Sequence, residues 1–300
     1  MRVPLVSIII NCYNGERFLR EAIDSIYEQD YSNWEIIFWD NASEDESAEI
    51  AKSYDNRLQY FFASINVPLG EARNLALQKA NGKFVAFLDC DDRYLSGKIT
   101  KQVKKMENTS SALCYGSVIV IDEDGLKIKR NSVSEKNGHL LDQLLLKYEI
   151  NMQTVMIRRS VLLNNNLSFD LTLQFSPDYD LFMRIASEFE ICSIKDFIVE
   201  YRKVSNSLTY KYLDHIAPEM EYTLIKLDKK LELLGNKENI NKAFEMLNFY
   251  KSLPLIRSGN YSEARKYLFK CIRIKKRYLI YYFIVCLPVK SSWILKRMMG

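Results

Sequence analysis

The N-terminal part of the chain alternates between two hydrophobic patterns. Short apolar runs rich in β-branched and aromatic residues are typical of buried strands, and apolar residues spaced three or four apart are typical of helices. The predicted strands are 6–10, 34–39, 58–63 and 83–89, and the predicted helices are 17–29, 42–54 and 68–80. Alternating strands and helices form β-α units, so we predict an α/β fold with a mostly parallel, Rossmann-like sheet flanked by helices.

Polar residues follow three of these predicted strands. They lie at 12–14, at Asp40 and Asn41, and at 89–92. In open α/β sheets, ligands bind outside the carboxyl ends of the strands. A single Asp after a strand is usually a turn or cap residue, but three polar clusters at one edge of a sheet indicate a binding site.

The third cluster holds three aspartates, Asp89, Asp91 and Asp92. Like charges this close would raise one another's pKa values, and a bound cation would remove the conflict. Mg²⁺ and Mn²⁺ prefer oxygen ligands and commonly use one or two carboxylates together with substrate phosphates. The alternatives are a solvated acidic loop, or Asp92 acting as the cap of a helix that begins near Arg93.

The common phosphate-binding loops are absent, since the ten glycines form neither G-x-G-x-x-G nor G-x-x-x-x-G-K-[ST]. A dinucleotide site or a P-loop is therefore disfavoured. Arg73, near the start of the third predicted helix, is a candidate for binding a diphosphate, and its alternative role is that of a surface arginine.

Composition and charge divide the chain in two. The net charge is +4, yet residues 265–300 contain ten Lys or Arg and no acidic residue, so residues 1–264 carry a net charge of −6. The six cysteines are scattered and only two histidines are present, so spacing supports no zinc site and we expect reduced thiols in a cytoplasmic protein. We find no secretory signal and no apolar run of the roughly 18 residues that a membrane-spanning helix needs.

The C-terminal part is predicted to be a helical extension. Residues 211–269 have helical spacing, and the apolar run 278–287 is short, rich in aromatic residues and flanked by Lys and Arg. This pattern suits a segment at the surface of an anionic membrane, for which we consider residues 271–300. The alternative is an ordinary buried helix packed against the catalytic domain.

Four ordered segments resemble the family 2 glycosyltransferases, which have the GT-A fold. They are VSIIINCYNGERFLREAIDSIYEQDYSNWEIIFWDNASED, LGEARNLALQKANGKFVAFLDCDD, SPDYDLFMR and YRKVSNSLT. Together they extend from residue 3 to about residue 209. The resemblance therefore implies a nucleotide-sugar-binding and catalytic domain over 1–210 and a helical tail over 211–300.

The resemblance assigns expected roles by position. The residues expected to bind the nucleotide and the donor are Asn11, Cys12, Tyr13, Asn14, Asp40, Asn41, Arg73, Asp89 and Cys90. Asp40 and Asn41 would bind the base, commonly uracil in this family, and Asn41 stands where many relatives carry a second Asp. Asp89-Cys90-Asp91 resembles the family's D-x-D motif.

In that motif Asp91 would be the metal ligand, with Asp89 as a further candidate ligand nearer the ribose and the sugar. The expected cofactor is Mg²⁺ or Mn²⁺. Asp178 matches the catalytic base. Two positions depart from the family pattern: Pro177 replaces a Glu, and Val204 replaces a His that follows Tyr-Arg-x. Both departures keep open a catalytically weak nucleotide-sugar-binding protein.

The implied activity is inverting, metal-dependent transfer from a nucleotide-diphosphate sugar, expected to be a UDP-sugar, by hexosyl or N-acetylhexosaminyl transfer. The expected acceptor is a lipid-linked or cell-surface polysaccharide precursor, at the inner face of the cytoplasmic membrane. A sugar nucleotidyltransferase is the other enzyme class considered. It is disfavoured because NCYNGERF is not a Gly-rich, basic triphosphate loop. We expect no nucleic-acid partner, and no oligomeric state follows from the sequence.

Overall fold

A computed structural model describes residues 3–204, 211–232, 238–274, 276, 278–287 and 294. It contains two compact units. The first comprises Met1–Leu140 and Glu149–Val204, and the second comprises Leu141–Tyr148 and Ser205–Gly300. The chain is therefore not divided by one cut near residue 210, since a short internal segment packs with the C-terminal helices.

The first unit begins with the predicted β-α units. The elements are β1 (Val6–Cys12), α1 (Glu16–Tyr27), β2 (Trp34–Asp40), α2 (Ser47–Lys52), β3 (Leu58–Phe62), α3 (Leu69–Leu77) and β4 (Phe84–Phe87). β1 lies between β2 and β4 and is parallel to both, and β3 is parallel to β2. The α/β fold with a central sheet flanked by helices is confirmed.

The chain then forms a second set of elements. They are β5 (Arg93–Tyr94), α4 (Lys98–Glu107), β6 (Leu113–Ile121), β7 (Lys127–Asn131), β8 (Lys136–Gly138), α5 (Leu141–Leu146), a 3-10 turn (Met152–Thr154), β9 (Met156–Arg158), α6 (Arg159–Asn164), α7 (Pro177–Glu188) and β10 (Ile191–Arg202). The sheet runs β3-β2-β1-β4-β9-β6-β10-β5, with β7 beside β6 and β8 beside β10. β9 pairs antiparallel with β4 and with β6. The sheet is therefore parallel from β3 to β4 and mixed beyond β4.

The core forms where the helices cover the parallel strands. Every residue of β2 and β4 is buried, as expected for strands with both faces covered. Gly82 lies before β4 where the backbone of a neighbouring strand comes very close. A Cβ there would lie 2.6 Å from the backbone nitrogen of Ser7, so the bend that starts β4 requires glycine.

The second unit is helical, as predicted for the C-terminal part. It contains α5, α8 (Leu213–Glu232), α9 (Glu238–Arg257), α10 (Tyr261–Ile272) and α11 (Tyr278–Ile284). α9 packs on α5, α8 and α10, and α10 packs on α11. Its core includes Leu213, Leu253, Ile256, Ala264, Leu268, Val285 and Ile294. None of the helices in the described residues combines the length and the hydrophobicity that a membrane-spanning helix requires.

Candidate functional site

Three strand ends meet at one edge of the parallel sheet. The register pairs Cys12 at the end of β1 with Asp40 at the end of β2. On the other side of β1, the Leu88 nitrogen donates to the Ile9 carbonyl at 3.0 Å, so the chain after β4 continues beside β1. The structure thus brings together the polar clusters that the sequence placed after separate strands.

The loop after β1 is anchored on the loop after β2. Asn14 has a left-handed backbone (φ 52°); its nitrogen donates to Ser43 Oγ at 3.1 Å and its Oδ1 accepts from the Glu44 nitrogen at 2.9 Å. The Tyr13 side chain is exposed. Asn11 Nδ2 is buried and finds no hydrogen-bond partner among the described residues. The predicted nucleotide loop thus presents an exposed ring and, within the described part of the chain, an amide donor without a partner.

Asp40 and Asn41 are bound within the protein. Asp40 is fully buried; its Oδ2 accepts from the Tyr60 hydroxyl at 2.6 Å and its Oδ1 from the Ser43 nitrogen at 2.8 Å. Asn41 Nδ2 donates to the Val67 carbonyl at 2.8 Å, and its Oδ1 accepts from the Val67 nitrogen at 3.2 Å. Both side chains therefore fix the loops at this edge of the sheet, and their role toward a base stays a prediction.

Cys12 and Cys90 pack around Gly15. A Cβ on Gly15 would lie 2.8 Å from Cys12 Sγ and 2.7 Å from Cys90 Sγ, so no larger residue fits between the two thiols. The contact with Cys12, together with burial, raises the pKa of Cys90 well above its usual value. The half-buried Cys90 side chain thus packs against Gly15 and Cys12.

Asp89 is held by two donors from distant parts of the chain. Arg73 Nη2 lies 3.1 Å from Asp89 Oδ1, and Gln153 Nε2 donates to Asp89 Oδ2. The side chain of Arg73 is only 5% exposed, so the alternative of a surface arginine is wrong. Gln153 was not singled out from the sequence, because nothing in its own segment marks a residue that bonds 64 positions away.

The remaining two aspartates have different environments. Desolvation and the neighbouring Asp89 raise the pKa of Asp91 to about 6. Asp92 is buried, and its Oδ1 accepts from the Arg202 backbone nitrogen at 2.6 Å. The next helix begins at Lys98, after the short strand β5, so the alternative that Asp92 caps a helix near Arg93 is wrong.

Arg202, at the end of β10, holds the backbone of the D-x-D segment. Its Nε donates to the Asp91 carbonyl at 2.9 Å, and its Nη2 donates to Glu21 Oε2 at 2.7 Å. Its guanidinium also lies over the Phe18 ring, 4.2 Å from the centroid. The segment YRKVSNSLT contains this arginine, but the sequence could not show that it is buried. Residues 205–209 of that segment lie outside the described residues.

Asp178 is the second residue of α7. Pro177 occupies the first position, where a missing N–H costs nothing, and it packs near Gly70 of α3. Desolvation raises the pKa of Asp178, and the nearby positive charge of Arg73 partly opposes the shift. The Pro that replaces the family's Glu therefore starts the helix and leaves the Asp178 carboxyl in the electrostatic field of Arg73 and Asp89.

Asp180 and Arg184, one turn further along α7, form an ion pair of 2.7 Å between Asp180 Oδ2 and Arg184 Nε. Asp180 is completely buried. Ion pairs with this i,i+4 spacing are commonly exposed on helices, but this one has its carboxylate inside the protein. The pair instead joins α7 to the preceding loop, because Arg184 Nη2 also donates to the Ser168 carbonyl.

The residues present suit a cation that shares its ligands with a substrate. No cluster of three or more His, Cys, Asp or Glu side chains arranged to hold a metal occurs in the described part of the chain. Asp91 carries a partly desolvated carboxylate beside Asp89. Such a site fits Mg²⁺ or Mn²⁺ bound by one or two carboxylates together with phosphate oxygens.

Most of the first unit matches a known protein family. The family model described as "Glycosyl transferase family 2" matches residues 7–163. The chain belongs to this glycosyltransferase family. It is 31% identical over 260 residues to an uncharacterised glycosyltransferase of Methanocaldococcus jannaschii, covering 84% of this chain and 88% of that protein.

Two relatives of this glycosyltransferase have more specific names. A putative teichuronic acid biosynthesis glycosyltransferase, TuaG of Bacillus subtilis, is 29% identical and covers 69% of this chain and 82% of its own length. The Escherichia coli UDP-Glc:alpha-D-GlcNAc-diphosphoundecaprenol beta-1,3-glucosyltransferase WfgD is 30% identical. That match covers 68% of this chain and 78% of WfgD.

The GT-A fold of this glycosyltransferase is also that of a solved structure. The structure of S. aureus TarS 1-349 in complex with UDP-GlcNAc superimposes with a TM-score of 0.67 and 16% sequence identity. The match covers 98% of this chain and 90% of that one. At this identity the similarity shows the fold, and the fold prediction is confirmed.

Proposed function

We propose that this glycosyltransferase transfers a sugar from a UDP-sugar, with Mg²⁺ or Mn²⁺, to a lipid-linked or polysaccharide acceptor with inversion at the anomeric carbon. One observation carries the proposal: a buried arginine, two D-x-D carboxylates and a carboxyl with a raised pKa converge at the sheet edge where α/β proteins bind ligands. The bound nucleotides of TarS and the UDP-Glc in the name of WfgD support a UDP donor.

The donor half of the site lies on the loops after β1, β2 and β4. We infer that Tyr13 and Asn11 contact the nucleoside, and the exposure of the Tyr13 ring and the lack of a hydrogen-bond partner for Asn11 Nδ2 among the described residues support this. The Arg73 guanidinium attracts the diphosphate, and Asp91 supplies the carboxylate for the cation. When bound, Mg²⁺ or Mn²⁺ neutralises the charge that builds up on the leaving diphosphate.

The acceptor half of the site is Asp178. A hydroxyl that attacks the anomeric carbon must lose its proton, and a carboxylate within hydrogen-bond reach can take it. Desolvation raises the pKa of Asp178, which makes its carboxylate a stronger base than an exposed aspartate. The positive charge of Arg73 partly opposes this rise in pKa and so favours the ionised form that a base requires.

Calorimetry tests the donor. UDP, GDP and dTDP are titrated with and without Mn²⁺ into the wild-type protein, into Asp91→Asn, and into the exposed-site control Asp124→Asn. We expect Mn²⁺-dependent binding of UDP that Asp91→Asn loses and Asp124→Asn retains. Equal Mn²⁺-dependent affinity in Asp91→Asn would remove Asp91 from the metal site.

A transfer assay tests the acceptor. UDP-glucose and UDP-GlcNAc are each offered with a lipid-diphosphate-linked sugar and with a free oligosaccharide, and NMR determines the anomeric configuration of the product. The names of TuaG and WfgD support acceptors of these two kinds. A product that retains the donor's configuration would refute the inverting mechanism.

We also propose that the protein lies at the cytoplasmic face of an anionic membrane, through a surface on the helical unit. α11 buries Tyr278 on one side, and it exposes Ile280 and Phe283 on the other, at 63% and 59%. The basic residues Arg273 and Lys276 are exposed just before it. An apolar helix face beside cations suits the interface of an anionic bilayer. Residues 275, 277, 288–293 and 295–300 of the proposed segment 271–300 lie outside the described residues.

Vesicle co-sedimentation tests this placement. The double variant Ile280→Asp with Phe283→Asp should remain in the supernatant with anionic vesicles at low salt, whereas wild type should sediment. Ile225→Asp is a matched control, because Ile225 is an exposed apolar residue on α8. Wild-type protein that stays in the supernatant under these conditions would refute the membrane placement.

A further inference from the structure

Gln153 makes two hydrogen bonds to one residue of the D-x-D motif. Its Oε1 accepts from the Asp89 backbone nitrogen at 2.8 Å, and its Nε2 donates to Asp89 Oδ2. Gln153 is itself only 2% exposed. A side-chain amide is the group that can accept from the backbone and donate to the carboxylate at the same time.

The turn that carries Gln153 is itself fixed. Asn151 caps the 3-10 turn by accepting from the Gln153 nitrogen at 3.0 Å, and the Thr154 hydroxyl donates to the Asn151 carbonyl at 2.8 Å. From α4, Gln102 Nε2 donates to the Thr154 carbonyl at 2.7 Å. The amide of Gln153 is therefore presented to Asp89 from a rigid support.

Asp89 is consequently held on both carboxylate oxygens. Arg73 binds Oδ1 and Gln153 binds Oδ2, so the carboxylate plane is fixed by two donors that come from separate elements. Without Gln153, Asp89 would keep one partner and could turn toward the neighbouring Asp91. A carboxylate must be oriented to bind a donor or share a cation, and supporting hydrogen bonds commonly supply that orientation.

We propose that Gln153 is a positioning residue of the donor site and acts through Asp89. The Gln153–Asp89 contact sets the orientation of the D-x-D carboxylate before the nucleotide arrives. The inference rests on the proposed function, because it takes a nucleoside diphosphate as the ligand. It adds a residue outside the four segments that carry the family resemblance.

The first experiment separates positioning from general damage. Gln153→Met removes both hydrogen bonds to Asp89 at similar volume. Gln29→Met is the matched control, because Gln29 is a buried glutamine whose hydrogen bonds go to backbone groups away from the turn and from Asp89. Thermal unfolding by circular dichroism, the Kd for UDP with Mn²⁺, and the donor KM and kcat are measured for both.

We expect Gln153→Met to raise the Kd for UDP with Mn²⁺ and the donor KM about tenfold or more, the usual scale for a lost supporting hydrogen bond. We expect Gln29→Met to lower Tm at least as much, with Kd and KM within about twofold of wild type. A Gln153→Met protein with wild-type Kd overturns the proposal. Equal losses of affinity in both variants also overturn it.

The second experiment exchanges the partners. Gln153→Glu alone sets two carboxylates against each other. Asp89→Asn alone leaves one side-chain oxygen for the two donors Arg73 and Gln153, so one of these two hydrogen bonds is lost. Combining the two substitutions restores both hydrogen bonds, the one between the side chains with reversed polarity. The carboxylate introduced at position 153 can accept from the backbone nitrogen and from the new side-chain amide at position 89. We expect the exchanged pair to unfold at a higher urea concentration than Gln153→Glu alone.

If the double variant is no more stable than Gln153→Glu alone, the two side chains do not interact and the proposal is wrong. If the wild-type protein binds none of the nucleotides, the proposed donor fails instead. The exchange experiment still tests the Gln153–Asp89 contact in that case, because it measures unfolding in urea and needs no ligand.

Discussion

Asp178 and Asp91 show how burial changes ordinary aspartates. Both carboxyls have raised pKa values, Asp178 through desolvation and Asp91 through desolvation and the charge of Asp89. Desolvation and the charges of Asp91 and Asp89 also raise the pKa of Asp92 well above its usual value, although one of its oxygens accepts from the Arg202 backbone nitrogen. The same side chain thus serves in three environments within one site.

Asp178→Asn should lower turnover by at least about 10²-fold, the usual scale of a lost general base. UDP binding should change little, because the base acts on the acceptor. In wild type, the raised pKa means that kcat/KM should rise with pH through a value above that of an exposed aspartate, since the ionised form is active. A pH–rate profile and calorimetry of both proteins check this. Near-normal turnover in Asp178→Asn would assign the proton to another group.

Asn41→Asp should destabilise the protein although it restores the residue common in the family. The new carboxylate cannot donate to the Val67 carbonyl, which Asn41 Nδ2 now contacts at 2.8 Å. The unfolding free energy in urea should fall by about 1–3 kcal/mol at pH 7, the cost of an unsatisfied buried group. The loss should shrink below the pKa of the new carboxyl, where its proton can be donated.

The exposed Asn164 is the control for that change, and Asn164→Asp should alter stability by less than about 0.5 kcal/mol. An Asn41→Asp protein as stable as wild type would show that the loop containing Val67 does not depend on this amide.

Sequence motifs locate some site residues and miss others for a physical reason. Asp40, Asp89 and Asp91 follow buried strands, a place that hydrophobic pattern alone reveals. Gln153 and Tyr60 gain their roles through hydrogen bonds to residues 64 and 20 positions away. Such bonds depend on the strand register, which no local pattern specifies.

At the scale of elements, strands β1 to β4 lie within about two residues of their predicted bounds, because buried apolar runs with turn residues around them leave little choice. The helix α2 departs further from its predicted bounds, since it begins at Ser47 and not near residue 42. Ala42 has a left-handed backbone (φ 66°), and the nitrogen of Ser43 bonds to Asp40. The residues predicted to form the first turn of this helix therefore lie in the loop after β2, where they bond to neighbouring site residues.

The mixed part of the sheet was not predicted. β9 has three residues and β5 has two, too short to show a hydrophobic period. Their place follows from pairing with β4, β6 and β10, which are distant in sequence.

α4 begins with a buried lysine in an unfavourable place. Lys98 is completely buried at the N-terminus of the helix, where the helix dipole disfavours positive charge. Its Nζ donates to Gln102 Oε1 at 2.7 Å and lies 4.1 Å from the centroid of the Tyr94 ring. Burial lowers the pKa of Lys98 to about 7.

Lys98→Met should therefore stabilise the protein relative to wild type at pH 7. As pH falls from about 10 to 7, the unfolded chain binds a proton at Lys98 that the folded protein does not, so wild-type stability declines over that window. The advantage of Lys98→Met should grow by up to a few kcal/mol between pH 10 and pH 7. Urea unfolding at both values measures it, with the exposed Lys101→Met as control. An advantage independent of pH would show that Lys98 stays protonated when buried.

At the scale of the whole molecule, the helical unit includes a segment from the middle of the chain. α5 buries Leu141, Leu144 and Leu145 and packs on α9. A C-terminal helical extension could be predicted from the spacing of apolar residues in 211–269. The membership of α5 could not, because a six-residue amphipathic helix looks the same whichever core it joins.

A chain that ends at Val204 should therefore be less stable than one that ends at Ile274. The shorter chain loses α8, α9 and α10, and exposing a buried leucine costs about 1.5–3 kcal/mol. We expect it to aggregate on size-exclusion chromatography and to melt earlier, while the longer chain remains monodisperse. A monodisperse shorter chain with the melting temperature of the longer one would show that α5 does not need the helices.

The split origin of the helical unit also bears on how such a protein can change during evolution. A domain encoded by one uninterrupted stretch can be gained, lost or exchanged by a single recombination event. Here Leu141–Tyr148 is encoded inside the catalytic gene segment, between β8 and the turn that carries Gln153. A replacement for the helices must therefore fit a docking helix that stays behind, so compatible partners should come from genes that carry a matching α5.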